Sequence, residues 1–273
     1  MTVVILDDAA GESRHDHVAF LKLYDSRWAK TVREESDAEE WTRDTEAALS
    51  DFIQTGRAAT FLDSVKRDED LGDRQDTWSS AEREAFLLYK MYSLYVAETT
   101  AYEALQDYQG KAVPRLLAKV RLDLLPLVEQ GEKIRQCMQV SGILLQFLPG
   151  FTLSLLEQHA PREAWQEIVD EAVRITRLLG DVNLLNEDVR PANFIVVPPK
   201  TDDGYRVFTI DFGQSRLRRP EESDAEWGRA KWQQDEEGAI GMVMRKRLGE
   251  LGFEYKFEHC MRYFEWAPGE DDE

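Results

Sequence analysis

The most constraining feature of the sequence is the stretch from residue 183 to residue 213, which has the pattern of a β-hairpin with polar residues at its base. Two apolar, β-rich runs, residues 194–197 and 207–210, flank a turn that contains proline, aspartate and glycine. Residues of these three types supply turn geometry between apolar strands. The pattern predicts that the residues before the first strand and those after the second converge at one end of the hairpin.

Three oxygen-bearing side chains fall at that end: Asp188 and Asn193 precede the hairpin, and Asp211 closes it. An aspartate can accept a proton or orient an acceptor group, while asparagine and aspartate supply the hard oxygen ligands that magnesium prefers. This combination is what a magnesium-nucleotide site needs. The alternative interpretation is a surface turn with an aspartate at each end.

The same residues resemble two motifs of the protein-kinase superfamily, in the order in which kinases carry them. D-x-x-x-x-N from Asp188 to Asn193 resembles the catalytic loop, and D-F-G from Asp211 to Gly213 resembles the metal-binding loop. Outside an insertion, the resemblance spans most of residues 1–250, and the chain is similar to small, atypical kinase-like proteins of fungi. It implies an α+β, two-lobed protein-kinase-like fold with a small antiparallel-sheet N-lobe and a mainly helical, shortened C-lobe.

The resemblance implies a single kinase-like domain over residues 1–273, with an N-lobe at 1–148 and a C-lobe at 149–273. A tryptophan-bearing segment at about 26–80 has no counterpart in a compact kinase core and is interpreted as an ordered, partly helical insertion. Apolar patterns predict strands at 2–6, 18–25, 115–127 and 142–147, helices at 81–109, 161–180 and 235–248, and a polar loop at 63–76.

Lys22 lies within an apolar strand pattern, where a charged side chain needs a partner. The resemblance implies that it binds the nucleotide phosphates and pairs with a helix glutamate. We expect that glutamate to be Glu98, with Glu84 and Glu103 as rivals. The alternative is that Lys22 is an edge-strand lysine that discourages strand pairing between molecules.

Residues 143–150 resemble the last N-lobe strand and the hinge that follows it. The resemblance implies that Leu145 is the gatekeeper and that Gln146 and Leu148 offer backbone groups to adenine. An ordinary buried strand that ends in a Pro-Gly turn is also compatible with the pattern. Farther along the chain, Asp235 or Glu236 is expected to be the acid that anchors the catalytic loop.

The sequence departs from the kinase pattern in three places. Asn186-Glu187-Asp188 replaces His-Arg-Asp, no A-P-E motif follows the D-F-G, and no G-x-G-x-x-G precedes Lys22. Without the glycine-rich loop, backbone N–H groups that help to hold the transferring phosphate are missing. We therefore expect the N-terminal sheet to begin with a hairpin of strands at 2–6 and 18–24, leaving the phosphate side of the pocket open.

Composition narrows the class of partner. The formal net charge is −19, which disfavours nucleic acid and anionic membranes because both repel an acidic surface. Two cysteines give no disulfide framework, and no apolar run reaches membrane-spanning length, so an intracellular protein, cytoplasmic or nuclear, is expected. The leading prediction is an ATP- and Mg²⁺-dependent phosphotransferase acting on a hydroxyl of an unknown protein or small-molecule acceptor. The alternative is a pseudokinase, a non-catalytic scaffold that binds a nucleotide or a protein.

Overall fold

The computed structural model describes residues 2–5, 17–67, 76–123, 139–200 and 204–267. Within these residues the chain is an α+β protein with small antiparallel sheets and helices. It divides into two compact units. The first unit contains residues 21–96 and 117–144, and the second contains residues 2–20, 97–116 and those from 145 onward. None of the described helices combines the length and the apolar character that crossing a membrane requires.

A four-stranded sheet has the strand order β1-β2-β4-β3. Its strands are β1 (Thr2–Ile5), β2 (His17–Tyr24), β3 (Leu116–Asp123) and β4 (Gln139–Gln146). β1 pairs antiparallel with the first half of β2, and Thr2 lies opposite Phe20. The predicted pairing of the first two strands is confirmed. Residues 6–16, which connect them, lie outside the described residues, and the openness of the phosphate side stays a prediction.

The segment after β2 is helical, as predicted for the insertion. It contains α1 (Lys30–Glu35), α2 (Arg43–Gln54) and α3 (Arg57–Arg67), and the long α4 (Ser80–Ala104) follows. Apolar side chains of α2 and of the first part of α4, including Phe52, Ile53 and Leu88, form a small core with Ala58 of α3. Short helices are only marginally stable by themselves, and the burial of these apolar side chains stabilises them.

The polar stretch at 63–76, predicted to be a loop, is helical in its first part. α3 continues to Arg67, and the Ser64 hydroxyl donates to the Phe61 carbonyl at 2.6 Å. The ammonium of Lys66 lies 4.8 Å from the centre of the Tyr89 ring. The polar residues therefore belong to the outer turns of an amphipathic helix, which polarity alone does not distinguish from a loop. Residues 68–75 lie outside the described part of the chain.

The second unit is organised around α6 (Trp165–Asp181) and α8 (Glu236–Glu250), which pack against each other. The predicted amphipathic pattern of α6 is confirmed, since Ile168, Ala172 and Leu179 are buried on one face. The remaining elements are α5 (Leu156–His159), α7 (Asp224–Gln234), β5 (Phe151–Thr152), β6 (Leu184–Asn186), β7 (Phe194–Val197), β8 (Arg206–Thr209) and β9 (Ser215–Leu217). The strands form one sheet ordered β5-β7-β8 and a two-stranded sheet of β6 and β9.

The segment that follows α8 packs its aromatic rings on glycines of the helices. The Phe257 ring lies beside Gly241 of α8, and the Trp266 ring lies beside Gly228 of α7. A Cβ at either glycine would be 2.2 Å from a ring atom, so only glycine leaves room for these contacts.

Candidate functional site

Two antiparallel strand pairs hold both ends of the loop that contains the predicted site residues. Asn186 lies opposite Ser215 in the β6–β9 pair, and Phe194 lies opposite Thr209 in the β7–β8 pair. The hairpin predicted from the turn pattern is therefore confirmed. Because the side chains of interest fall between the two pairs, both ends of their backbone are fixed by strand hydrogen bonds.

Two more backbone hydrogen bonds join the facing segments inside these pairs. The N–H of Glu187 donates to the carbonyl of Gln214 at 2.8 Å, and the N–H of Ile210 donates to the carbonyl of Asn193 at 2.8 Å. Asp211 directly follows Ile210 in the chain. The hairpin thus brings the predicted metal residues, Asn193 and Asp211, to the same end, as the sequence indicated.

Asp188 and Asn193 are in direct contact. The amide nitrogen of Asn193 donates to the Asp188 carbonyl at 2.9 Å and to Asp188 Oδ2 at 3.0 Å. The N–H of Asp188 donates to the Oδ1 atom of Asn186 at 3.1 Å. Asn193 is buried, so its amide is held in one orientation. Because its nitrogen is engaged by Asp188, the Asn193 oxygen is the atom left for a cation.

Asp211 has a left-handed backbone conformation, with φ of 67°. Such values are uncommon for residues other than glycine, and they cluster at sites where a side chain has to be aimed. The next residue, Phe212, is fully buried and meets the ring of Tyr102 edge-on, with ring centres 5.5 Å apart and planes at 85°. Phe212 therefore anchors the turn that contains Asp211.

Glu98 belongs to the same part of the second unit. It lies one helical turn before Tyr102 on α4 and is fully buried. Burial raises the pKa of Tyr102 well above its ordinary value, and the negative charges of Glu98 and Asp211 raise it further. Both carboxylates are therefore close enough to act on one hydroxyl.

The two rival glutamates have other surroundings. Glu84 is buried in the first unit, where it accepts hydrogen bonds from the Arg33 guanidinium, the shortest at 2.6 Å. Glu103 is exposed on α4. Of the three candidates, Glu98 is the one whose charge acts on Tyr102 together with that of Asp211.

Lys22 is on β2, in the first unit, with its ammonium 5.3 Å from the centre of the Tyr24 ring. The strand position agrees with the sequence analysis. The pairing of Lys22 with Glu98 stays a prediction.

Of the predicted hinge residues, Leu145 and Gln146 are the last two residues of β4 and Leu148 follows the strand, and all three belong to the second unit. Leu145 is buried, as a gatekeeper would be. The N–H of Gln146 already donates to the Arg115 carbonyl at 2.9 Å, so of its backbone groups its own carbonyl is the one to consider for adenine. The carbonyl of Leu148 accepts from Gly150 at 2.9 Å, which leaves the Leu148 N–H as the corresponding donor.

Glu236, and not Asp235, contacts β6, the strand that precedes Asp188. Its Oε1 atom accepts the backbone N–H of Asn186 at 2.9 Å. Asp235 instead begins α8 as its N-cap, accepting the Gly238 N–H at 3.0 Å, and its Oδ1 atom is 2.5 Å from His259 Nε2. The choice between the two acids, open in the sequence, is therefore made by tertiary contacts.

Two charged residues near the loop did not stand out in the sequence. The guanidinium of Arg190 is 3.1 Å from Asp188 Oδ2, and its position within the D-x-x-x-x-N motif could have suggested it. Lys231 of α7 is buried and forms an ion pair with Glu236. A lone lysine in a polar helix carries no sequence signal of burial, so its role depends on the fold.

The donor set fits a magnesium ion that arrives with phosphate groups. Asn193 and Asp211 provide an amide oxygen and a carboxylate, both hard ligands. In the described part of the chain, no group of three or more His, Cys, Asp and Glu side chains is arranged to hold a metal ion. Magnesium typically takes one or two protein carboxylates and completes its shell with phosphate oxygens and water. Two protein oxygens are therefore sufficient for a nucleotide-borne ion.

A cavity of about 670 Å³ lies elsewhere in the second unit. Its walls include Lys231, Glu236, His259 and Tyr263, and none of Asp188, Asn193 and Asp211 lines it. Pockets of this size commonly bind small molecules. The group of Asp188, Asn193 and Asp211 is therefore distinct from this cavity.

Comparisons with known proteins do not assign the chain to a family. No protein-family model matches it, and no curated protein matches it. A solved structure described as WaaP in complex with acyl carrier protein is similar over 62% of this chain and 65% of that chain, with 19% sequence identity and a TM-score of 0.37. This chain thus spans less than two thirds of that protein. A TM-score of 0.37 does not establish a shared fold.

Proposed function

We propose that this chain is an ATP- and Mg²⁺-dependent phosphotransferase with a two-lobed, protein-kinase-like fold, which transfers the γ-phosphate to a hydroxyl group. The observation that carries the proposal is the arrangement of Asp188, Asn193 and Asp211. Asn193 contacts Asp188 directly, and the hairpin register brings Asp211 to the same end. Phosphoryl transfer depends mainly on positioning and charge stabilisation, which such a rigidly held set of oxygens can provide.

In the proposed mechanism, Asp188 orients the acceptor. Its Oδ2 atom accepts from Asn193 at 3.0 Å and lies 3.1 Å from the Arg190 guanidinium. These contacts hold the carboxylate and leave Oδ1 to accept a hydrogen bond from the acceptor hydroxyl. With Asp188 held in this way, the hydroxyl would be aligned for attack before the reaction begins.

Two cationic side chains, those of Arg190 and Lys22, would contact the phosphates. Arg190 is more than half exposed and lies next to Asp188, where its remaining N–H donors would contact the transferring phosphate. Lys22, paired with Glu98, would bind the α- and β-phosphates. Asn193 and Asp211 would hold Mg²⁺, which supplies charge neutralisation on the phosphate oxygens.

The adenine would bind at the hinge. The carbonyl of Gln146 and the N–H of Leu148 are the backbone groups that their own contacts leave for a base, and Leu145 would pack beside it. A hydrogen-bond acceptor and a donor two residues apart match the amino group and the adjacent ring nitrogen of adenine. Backbone groups alone would then form the hydrogen bonds to adenine, and no side chain would be needed for them.

The acceptor remains a hydroxyl compound of either protein or small-molecule class. The segment after D-F-G is short: β9 ends at Leu217, and α7 begins at Asp224 behind a Ser223–Glu226 capping box. Since the sequence has no A-P-E motif, little chain is available for a platform that grips a peptide. A small acceptor is therefore a natural first choice for assays.

The Asp188→Asn variant tests the proposal. With γ-labelled ATP and Mg²⁺, wild-type protein should transfer phosphate to water or to a member of a hydroxyl-acceptor panel. Asp188→Asn should lower that rate by at least ~10²-fold, the low end for a positioned acid–base group, while ATP affinity and the melting temperature stay within error. Removing the acceptor contact leaves the nucleotide contacts in place, which is why binding should survive.

Glu187→Gln is the matched control, because Glu187 is an exposed carboxylate on the neighbouring residue. It should retain the wild-type rate. A wild-type rate in Asp188→Asn would remove Asp188 from the mechanism. A protein that binds ATP but transfers no phosphate to any acceptor, water included, would instead support the non-catalytic alternative, which the missing G-x-G-x-x-G before Lys22 also favours.

A further inference from the structure

A buried ion pair is hydrogen-bonded to the backbone of β6, the strand that precedes Asp188. Lys231 of α7 is 3% exposed and Glu236 of α8 is 5% exposed, and their side chains are hydrogen-bonded to each other. The ammonium of Lys231 donates to the Leu184 carbonyl at 3.0 Å, and Glu236 accepts the N–H of Asn186 at 2.9 Å. The two charges thus hold two backbone groups of β6, one at each end of the strand.

Two aromatic rings lie near the ammonium of Lys231. Its ammonium is 5.8 Å from the centre of the Trp227 ring and 5.7 Å from that of the Tyr263 ring. Trp227 belongs to the same helix, whereas Tyr263 belongs to the segment after α8. Rings at these distances attract an ammonium and restrict where it can lie. The donor that reaches Leu184 therefore has little freedom.

Burial works against both charges. It lowers the pKa of Lys231 and raises the pKa of Glu236, and in each case the opposite charge of the partner counteracts it only in part. A buried ion pair is weak evidence for a gain in stability, since apolar side chains of similar volume often serve as well. Specification of a particular geometry is a better-supported reason to keep such a pair.

We propose that Lys231 is a positioning residue for Asp188, acting through the Leu184 carbonyl and through Glu236. The path is continuous: Glu236 accepts the N–H of Asn186, and the side chain of Asn186 accepts the N–H of Asp188 at 3.1 Å. Neither charge of the pair touches the reacting groups. The inference rests on the proposed function for its catalytic consequence, whereas its structural claim about residues 184–188 stands by itself.

The competing interpretation is that the ion pair of Lys231 and Glu236 only connects α7 to α8. In that case, removing Lys231 would lower the local stability of both helices. It would not lower the local stability of β6 more than theirs. Amide hydrogen exchange separates the two roles, because it reports opening of individual segments.

Lys231→Met tests the inference, with Lys246→Met on the exposed side of α8 as the matched control. We expect amides of residues 184–190 to exchange at least ~10-fold faster in Lys231→Met, with those of α6 within about twofold of wild type. In steady-state kinetics, kcat should fall by about 10-fold while KM for ATP changes by less than about twofold, the pattern of lost alignment. Lys246→Met should match wild type in both measurements.

Lys231→Met leaves Glu236 buried without its cation and could prevent folding. The double variant Lys231→Met, Glu236→Gln avoids that problem, because the amide oxygen of Gln can still accept from Asn186. It should fold and still show faster exchange at residues 184–190, since the Leu184 carbonyl has lost its donor.

Exchange at residues 184–190 that stays within about twofold of wild type in a folded variant would overturn the inference. So would exchange that rises equally in α7, α8 and this strand. If wild-type protein transfers no phosphate, the proposed function fails, but the exchange result still decides whether Lys231 positions the strand.

Discussion

Asp211 has a backbone conformation that restricts which substitutions are informative. Its φ of 67° lies in the left-handed region, where aspartate and asparagine are tolerated better than alanine because their short polar side chains can hydrogen-bond locally. Asp211→Ala would combine loss of a metal ligand with backbone strain on the order of 1 kcal/mol. Asp211→Asn removes the negative charge while keeping the shape and the backbone preference, so it isolates the ligand role.

His259 predicts a dependence of stability on pH. Burial lowers its pKa, but the hydrogen bond and the charge of Asp235, 2.5 Å from Nε2, outweigh this effect and leave the pKa raised. A group with a raised pKa in the folded state contributes stability below its unfolded pKa of about 6.5 and loses it as pH rises through the folded value. Melting temperature should therefore fall as pH rises above about 6.5.

His259→Gln should remove this component of the pH dependence, whereas His159→Gln, at an exposed histidine of α5, should retain it. The effect should stay below about 1 kcal/mol because the His259 side chain is 41% exposed and water screens the pair. Thermal melts from pH 6 to pH 8.5 provide the measurement. Identical pH profiles for wild type and His259→Gln would show that the pair adds no stability.

For single residues, local motifs could be predicted from the sequence, whereas tertiary contacts could not. The grouping of Asp188, Asn193 and Asp211 at one end of a hairpin could be predicted because their spacing is a local pattern, while their roles stay a prediction. The roles of Glu236 and Lys231 depend on contacts between residues far apart in the chain, such as Glu236 with Asn186. A single sequence carries no direct signal of such pairs, so it does not distinguish Asp235 from Glu236 and does not indicate that Lys231 is buried.

Among the elements, α8 contains three glycines, and two of them, Gly241 and Gly249, have opposite environments. A Cβ at Gly241 would be 2.2 Å from the Phe257 ring, whereas one at Gly249 has nothing within 4 Å. Gly241→Ala should destabilise the protein by ~1–3 kcal/mol, because an inserted methyl in a packed contact displaces its neighbours. Gly249→Ala should instead stabilise it by up to ~1 kcal/mol through helix propensity.

Urea unfolding of the two alanine variants measures both free energies. They are matched in chemistry and helix, so they differ in the environment of the added methyl. Equal effects would mean that the Phe257 ring is not held against α8, and that the segment after α8 does not contribute to the stability of this unit.

The elements themselves were largely predictable because their signals are periodic and local. The hairpin of β7 and β8 and the amphipathic α6 follow from turn residues and helical spacing. The error at 63–76 arose where α3 presents mostly polar residues, and a helix with one small apolar face looks like a loop in a polar window. Helix ends also depended on caps, as with Asp235 before α8.

For the molecule as a whole, the net charge and the division into two units both affect what nucleotide binding would require. A formal charge of −19 repels a polyanion such as ATP, so binding should depend on a divalent cation and on local positive groups. Lys22 belongs to the first unit, whereas Glu98, Asn193 and Asp211, which we propose for nucleotide and metal binding, belong to the second. The sequence predicted two lobes from resemblance, and their arrangement around a nucleotide stays a proposal.

The most direct test of the central claim, that Asn193 and Asp211 hold magnesium on a bound nucleotide, is the thermal shift caused by ATP with and without Mg²⁺. At a ligand concentration tenfold above Kd, ATP with Mg²⁺ should raise the melting temperature of wild-type protein by roughly 3–5 °C, and ATP with a chelator by less than about 1 °C. Asp211→Asn should lose the magnesium-dependent shift, and Asp107→Asn, at an exposed aspartate of the same unit, should keep it. Equal shifts with and without Mg²⁺, or a wild-type response in Asp211→Asn, would contradict the account.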